Sequence, residues 1–469
     1  MSLSLQQRGN VFLVVAACLL AVGICLPFSG HDLQRSTQIV MSLGAVLYGL
    51  SAGSGERLLD RPSTYGLMAI IGLGVISSVL AHQPLWALTE VALFVGCGAI
   101  AVAFALLRRQ GGEPMDRALI LIVLLLCLVK SLQYLWAAAS AFTSGNDVLN
   151  LDHLLSGFSN KRFYGQFQTF TLALLALPLL LANVTRAMRA GVFALLCVWW
   201  LIAISGGTRG TWLGLAVAAG VLTVLGPWGR RWVAWQLAAL CGGLVLYWLL
   251  FVGLAGYLGI EVGSGAGDRL TTSLSGRGPI WLQAWHMIEE RPWLGFGPMH
   301  FADIANEIAA HPHQAVLQWA SEWGVPSALC VAVLAWRAGW ATCRIVRARA
   351  LSEAGEDLLR LCLFAALVGT LVQSMVDGVI VMPNSQVWLA LVVGWLMALH
   401  VGRTPLDSGL KWAGAAWQIA GVMAVGLMLF IAARDLPHTV QDQADYLRAG
   451  HDHLQPRFWA QGVIALPGQ

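Results

Sequence analysis

Residues 118–141 read ALILIVLLLCLVKSLQYLWAAASA, with Lys130 as their one charge. A run of about 20 mostly apolar residues is what an α-helix needs to cross the hydrocarbon of a bilayer. Comparable runs recur at 10–28, 36–53, 64–82, 85–107, 166–183, 190–206, 210–226, 232–258, 326–347, 358–380, 386–400 and 412–433. Over its 469 residues the chain is 58% hydrophobic and only 11% charged. A soluble domain carries about 25% charged residues, so this chain lacks the polar surface to face water all round. Lipid must take water's place around the apolar faces. The 21 Trp suit rings parked at the headgroup level. The expected fold is an all-α polytopic membrane protein with 12–13 transmembrane helices.

Charge in the loops orients the spans. With the N-terminus in the cytoplasm, the inner connections hold Arg57 and Arg61, then Arg108, Arg109 and Arg117. Next come Arg186 and Arg189, Arg230 and Arg231, Arg344, Arg347 and Arg349, and finally Arg403 and Lys411. Two outer connections are too long for simple turns, 142–165 and 259–313. In the second, Pro279 opens a helical pattern over Ile280–Glu290 with Trp281, Trp285 and Ile288 on one face, and Arg291-Pro292 closes it. The expected organisation is transmembrane helices over 1–258 and an outer loop over 259–312 with short helices and part of the active site. The remaining spans fill 313–433, and a polar tail covers 434–469.

Composition excludes several classes. The net charge of +4 is spread out and offers no block to grip nucleic acid. The nine cysteines form no CxxC pair and fall in apolar stretches, which speaks against a disulfide framework and a zinc site. Gly295-Phe296-Gly297 follows no strand and is not a nucleotide motif, and no Walker sequence is present. No cofactor is expected.

Cations on the outer side stand out because the positive-inside rule should deplete them. They are Lys161, Arg162, Arg209, Arg269, Arg277 and Arg291. Arg209 sits in Ser205-Gly206-Gly207-Thr208-Arg209-Gly210-Thr211, a tight break between two apolar runs. A guanidinium there binds phosphate bidentately and keeps its charge; the competing reading is a side chain snorkelling to headgroup phosphates. Arg277 lies in Ser275-Gly276-Arg277-Gly278-Pro279-Ile280-Trp281, a turn feeding a helix N-terminus, which also favours an anion. His311-Pro312-His313-Gln314 stands at the following membrane entry, and His is suited to moving a proton near neutral pH. Metal binding ranks below proton transfer because no carboxylate partner is clear beyond Asp303 and Glu307. Asp377 could orient a His or an Arg, or pair with an Arg structurally. His31-Asp32 shows no partner in the sequence, and Lys130 is expected to point into the bundle or snorkel.

These elements together resemble the O-antigen ligase and polymerase family. That family pairs a glycine-flanked Arg before a Trp with a Pro-x-x-Gly-x-Gly turn, then a His-Asn before Leu-Gln and Glu-x-Gly. Here the pattern reads through Arg277 and Trp281, Pro292 to Gly297, then His313-Gln314, Leu317-Gln318 and Glu322-Trp323-Gly324. Gly207-Thr208-Arg209-Gly210 resembles the family's upstream Arg turn, and Arg162-Phe163-x-Gly165-Gln166-Phe167 the ligase branch. Gln314 departs from the usual Asn, which keeps the amide and changes its reach.

The resemblance implies a metal-independent, inverting membrane glycosyltransferase of the C-type, at the outer face of a bacterial inner membrane. Its donor would be a glycan on undecaprenyl pyrophosphate and its acceptor a sugar hydroxyl of lipid A–core oligosaccharide. His313 would be the general base, with Arg209 and Arg277 stabilising the leaving pyrophosphate. Lys161, Arg162, Gln314, His311, Arg291 and Asp377 are candidate substrate-binding residues. The nearest alternatives are an O-antigen polymerase and a protein O-oligosaccharyltransferase. A transporter of lipid-linked glycan is the rival from another class; transporters tend to show internal repeats and substrate charges near the midplane, whereas this sequence shows no repeat and its candidate site lies at the outer boundary.

Overall fold

The computed structural model describes residues 4–26, 28–52, 58–145, 147–263, 276–400 and 411–465. Arg57, Arg269, Ser275 and Arg403 lie outside the described residues, as does the side chain of Lys411. The chain runs through α1 (Leu5–Cys25), α2 (His31–Ala52), α3 (Arg61–Val79), α4 (Pro84–Gly111) and α5 (Glu113–Thr143). There follow α6 (Lys161–Leu175), the short α7 (Leu177–Leu180), α8 (Arg186–Gly206), α9 (Arg209–Val224) and α10 (Pro227–Tyr247). The last continues through a π-helical stretch, Trp248–Leu254, into α11 (Ala255–Leu258). Then come α12 (Gly278–Glu290), α13 (Ala315–Trp323), α14 (Val325–Ala348), α15 (Gly355–Gln373), α16 (Pro383–His400), α17 (Lys411–Asp435) and α18 (Thr439–Arg448).

Every apolar run read from the sequence is occupied by a helix. Among the described residues, nine helices are long and apolar enough to cross a membrane on their own. The runs in α2, α9, α15 and α16 fall short of that by length or polar content; α2 carries Gln34, Arg35 and Gln38, all buried. The chain is an all-α polytopic membrane protein. Local chemistry sets the helix ends. Proline occupies the first turn of α3, α4, α5, α10, α12 and α14, where its missing N–H costs nothing. Gly207 ends α8 at φ 59° and Gly324 separates α13 from α14 at φ 82°, backbone that a side chain would strain.

The bundle packs by close backbone approach. On α9, Gly214 lies against the carbonyl of Gly369 on α15, and a Cβ there would collide with it. In lipid the hydrophobic effect does not hold helices together, so small residues that admit dispersion contact carry that task. Helix α6 is central: its residues from Phe163 to Leu175 are all buried. Phe167 packs against Phe158, Trp199 and Trp388 with centroids 5.5–5.9 Å apart.

The two long outer connections meet in a two-stranded parallel ladder, β1 (Val148–Asn150) with β2 (Glu261–Gly263). The expected helix after Pro279 is present as α12, but its packed face is shifted by one residue. Ile280, Ala284 and Met287 are buried against Phe301, whereas Trp285 is exposed. Trp281 sits at the edge of that face, where its indole N–H donates to the Pro312 carbonyl at 2.9 Å.

The polar tail does not project away. After α18 it doubles back: Gln455 Nε2 donates to the Asn306 carbonyl at 2.8 Å, and the Ile464 N–H to the Ala302 carbonyl at 3.0 Å. The tail therefore lies on the same side of the bundle as the 298–314 segment.

Candidate active site

Four chain segments converge where α6, α9, α12 and α13 begin. The start of α6 carries Lys161 and Arg162, capped by Asn160, whose side chain accepts from the Arg162 N–H at 2.9 Å. Gly165, one turn on, lies against the Thr208 and Thr211 hydroxyls, so α6 and the turn into α9 close up, and both Arg162 and Arg209 come within electrostatic reach of Arg277. Gln373 ties the arrangement to α15: its Oε1 accepts from Thr169 at 2.6 Å and its Nε2 donates to Thr211 at 3.3 Å. Arg277 stands at the N-cap of α12.

His313 has φ 54°, rare for a residue with a side chain. The backbone there is over-determined by its neighbours, as strained active-site backbone tends to be. Its N–H donates to His311 Nδ1 at 3.3 Å, and the rings stand 4.1 Å apart at 72°. The next residue caps α13, with Gln314 Oε1 accepting from the Leu317 N–H. The Ala315 N–H reaches the Ser374 carbonyl at 2.9 Å and pins α13 to the end of α15. Behind His311 lies Gly378, so close that any Cβ would strike the imidazole.

Electrostatics bind these groups into one cluster. Burial and the charges of Arg162 and Arg277 push the His313 pKa down to about 3. Burial, the neighbouring His313, Arg457 and Arg162 hold His311 well below the ordinary range. Both imidazoles are therefore neutral near pH 7, and the Nδ1 acceptor role leaves the proton of His311 on Nε2. Burial, then Arg162, draws the Arg277 pKa down, with Asp377 pulling the other way and Arg209 adding to the repulsion. Asp377, 4% exposed, accepts from the Gly378 N–H at 2.8 Å. Burial raises its pKa against the pull of that N–H and of Arg162 and Arg277. Buried Nδ1 of His313 and buried Nε of Arg277 have no hydrogen-bond partner among the described residues. A buried donor or acceptor left unmade costs about 1–3 kcal/mol, so a polar, anionic ligand would find matching groups here.

The structure thus brings together His311, His313, Arg162, Arg209, Arg277 and Asp377. Three other candidates are engaged locally. Lys161 Nζ is held by both oxygens of Asp152, at 2.6 and 2.5 Å. Arg291 stacks on the Phe296 ring 4.6 Å from its centroid, and Gln314 serves as the cap. Lys130 points into the bundle, donating to the carbonyls of Ile24 and Ser156 at 3.1 and 2.7 Å. His31 and Asp32 do have partners, both in the tail: His31 Nε2 lies 3.1 Å from the Arg457 carbonyl, and Asp32 accepts from the Ala460 N–H at 2.6 Å. Among the described residues no three His, Cys, Asp or Glu converge as a metal site would require.

Sequence reasoning missed Glu90, Glu322 and Arg457 as an ionic cluster. Arg457 Nη2 lies 2.7 Å from Glu322 and 3.3 Å from Glu90. The one signal was aromatic: Phe458-Trp459 beside Arg457 in a tail otherwise read as polar.

Residues 190–332 match the family described as O-antigen ligase. The matched stretch holds Arg209, Arg277, Arg291, His311, His313 and Gln314, while Lys161, Arg162 and Asp377 lie outside it. The match supports the O-antigen ligase and polymerase superfamily, an enzyme class that acts on lipid-linked glycan. No curated protein matches the chain.

Proposed function

We propose that this protein is a membrane glycosyltransferase that moves a glycan from undecaprenyl pyrophosphate to a sugar hydroxyl of lipid A–core, at the periplasmic face of the inner membrane. The observation that carries the reading is the convergence of a buried His313, its Nδ1 without a hydrogen-bond partner among the described residues, with Arg277, whose buried Nε is likewise unpartnered. A base must be unprotonated to act, and a leaving pyrophosphate needs fixed cations.

In the proposed reaction the acceptor oxygen bonds to the anomeric carbon as the bond from that carbon to pyrophosphate breaks. The hydroxyl proton passes to His313, and the electron pair stays on pyrophosphate beside Arg209 and Arg277. A single displacement of this kind inverts the anomeric centre. The donor carries its own activation in the glycosyl–pyrophosphate bond, so ATP is not required. Preorganised cations stabilise the developing charge without reorganising.

The low pKa of His313 suits this sequence of events. A base at about 3 is weak, but the cause lies partly in the cations beside it. Bound pyrophosphate neutralises that repulsion and raises the basicity of His313 only once the donor is in place.

The test is transfer of a defined undecaprenyl-pyrophosphate glycan to purified lipid A–core, with EDTA present, comparing wild type and His313→Ala. Activity in the wild type and a fall of roughly 10²–10⁴-fold in the mutant is expected for loss of a general base. A folded wild type that transfers nothing to lipid A–core would move the reading to the polymerase or protein-glycosylating branch.

A further inference from the structure

The C-terminal strap, residues 449–465, contributes a fully buried arginine to an ionic group outside the site described above. Arg457 is 0% exposed. Its Nη2 donates to Glu322 Oε2 at 2.7 Å and to Glu90 Oε1 at 3.3 Å. With the Gln318 amide oriented to satisfy both partners, Gln318 Oε1 accepts from Arg457 Nη1 at 2.8 Å and Nη2 at 3.2 Å. The guanidinium thus spans α4 and α13.

Gln318 and Glu322 are one turn apart and share a face of α13. That helix has nine residues, too few to be stable by itself, so its position depends on what grips it. The Gln318 N–H donates to the Gln314 carbonyl at 2.9 Å, and His313 is the preceding residue. Glu322 also accepts from the Phe301 N–H at 3.1 Å through Oε1, and its carbonyl accepts from the Gly297 N–H at 3.0 Å. Arg457 therefore grips α13 and, through Glu322, the turn beside it.

The strap is itself fixed. The Arg457 carbonyl accepts from Arg35 Nη2 at 2.9 Å and lies 3.1 Å from His31 Nε2, while the Phe458 carbonyl accepts from Arg35 Nε at 3.0 Å. Arg35 is fully buried. A buried arginine shared by two carboxylates is an expensive device, and nothing in the proposed proton transfer uses its charge directly.

We propose that Arg457 is a positioning residue that holds α13, and with it His313, at the geometry the reaction needs. This rests on the reading of His313 as the base. Arg457 touches neither substrate nor reacting atoms; it acts through Gln318 and Glu322.

The experiment compares full-length wild type, Arg457→Gln and Arg457→Lys in the same glycan-transfer assay, with amide deuterium exchange across 311–323 measured in parallel. Arg457→Gln is expected to lower kcat about 10²-fold, the cost of a small misplacement near the chemistry, with donor KM within about twofold of wild type as pure positioning requires. Exchange across 311–323 should rise. Arg457→Lys keeps the charge and loses the fork, so it should fall between the two. A folded Arg457→Gln protein with wild-type kcat, or with unchanged exchange, overturns the proposal. Where Arg457→Gln does not fold, Arg457→Lys decides by the same two readouts. A wild type that transfers no glycan sinks the reaction assignment instead, and the exchange comparison still decides whether Arg457 holds α13.

Discussion

His313 donates its backbone N–H to Nδ1 of His311 while the two rings stand 4.1 Å apart, nearly perpendicular. One histidine thus fixes the backbone of the other. The acceptor role of Nδ1 also sets the tautomer of His311. His311→Phe keeps a ring against Gly378 but removes the acceptor, leaving the His313 N–H unpaired at a strained φ. The expected result is a stability loss of about 1–3 kcal/mol and slower transfer than wild type, read by thermal unfolding and by the transfer assay. Full activity in His311→Phe would remove this support role.

The pH dependence follows from His313. Its pKa in the folded protein, about 3, lies below the ordinary 6.5. The unfolded chain therefore binds a proton between those values that the folded chain does not. Stability from this group is complete above about pH 6.5 and is lost as pH falls toward 3. In the free enzyme kcat/KM reports the same group. The profile should stay flat through pH 6.5 instead of bending there, and an acid limb centred at 6.5 would contradict a buried base beside two guanidinium groups.

Gly378 has no room for a side chain because His311 fills the space where Cβ would lie. Gly378→Ala must displace the imidazole or the backbone around Asp377. Overpacking of this kind costs about 1–3 kcal/mol. The variant should still fold into the membrane, and its transfer rate should fall through displaced His311 and His313. Wild-type kinetics in Gly378→Ala would show that His311 can move freely without consequence.

Arg277 and Arg209 separate two roles for a cation. A guanidinium grips phosphate with two parallel bonds, whereas an ammonium is a point charge. Arg277→Lys should lower transfer by roughly 10²–10³-fold, the usual loss of one donor to a developing anion. Arg209→Lys should fall in the same direction. Retention of full rate in both would favour headgroup snorkelling over leaving-group stabilisation.

Gln314 tests the departure from the family pattern. Its side chain caps α13, a task that Asn also performs. Gln314→Asn should keep stability and transfer, while Gln314→Ala should lose about 0.5–2 kcal/mol of stability. Thermal unfolding of the two variants in detergent distinguishes a cap from a substrate ligand, because a ligand role would cost transfer without costing stability.

Much of the architecture was legible in the chain because bilayer crossing needs only local information. An apolar run such as 118–141 cannot satisfy its backbone in lipid except as a helix, whatever surrounds it. The cationic turns at Arg209 and Arg277 were legible for a related reason, since glycine and proline punctuate helices locally. The packed face of α12 lies one residue from the Trp281, Trp285 and Ile288 pattern, on Ile280, Ala284 and Met287, and the bond from the Trp281 indole N–H to the Pro312 carbonyl is a tertiary contact that periodicity does not show. The buried polar residues of α2 gave no periodic signal of a partner.

The sequence by itself determined the helical membrane character and the residues able to bind an anion or move a proton, since side-chain chemistry and hydrophobic length belong to the chain locally. Only the tertiary structure decided which of those residues meet. It joined Arg162 to His313 and Asp377 to Arg277, engaged Lys161 with Asp152, and carried Arg457 back onto Glu322 and Glu90. Arg457 lies 367 positions from Glu90 and 135 from Glu322, and even the nine positions between Lys161 and Asp152 cross a loop that no periodicity or composition encodes. These contacts exist because burying a charge is so costly that each buried Arg must find its carboxylates or carbonyls, and which ones it finds depends on how the whole bundle closes.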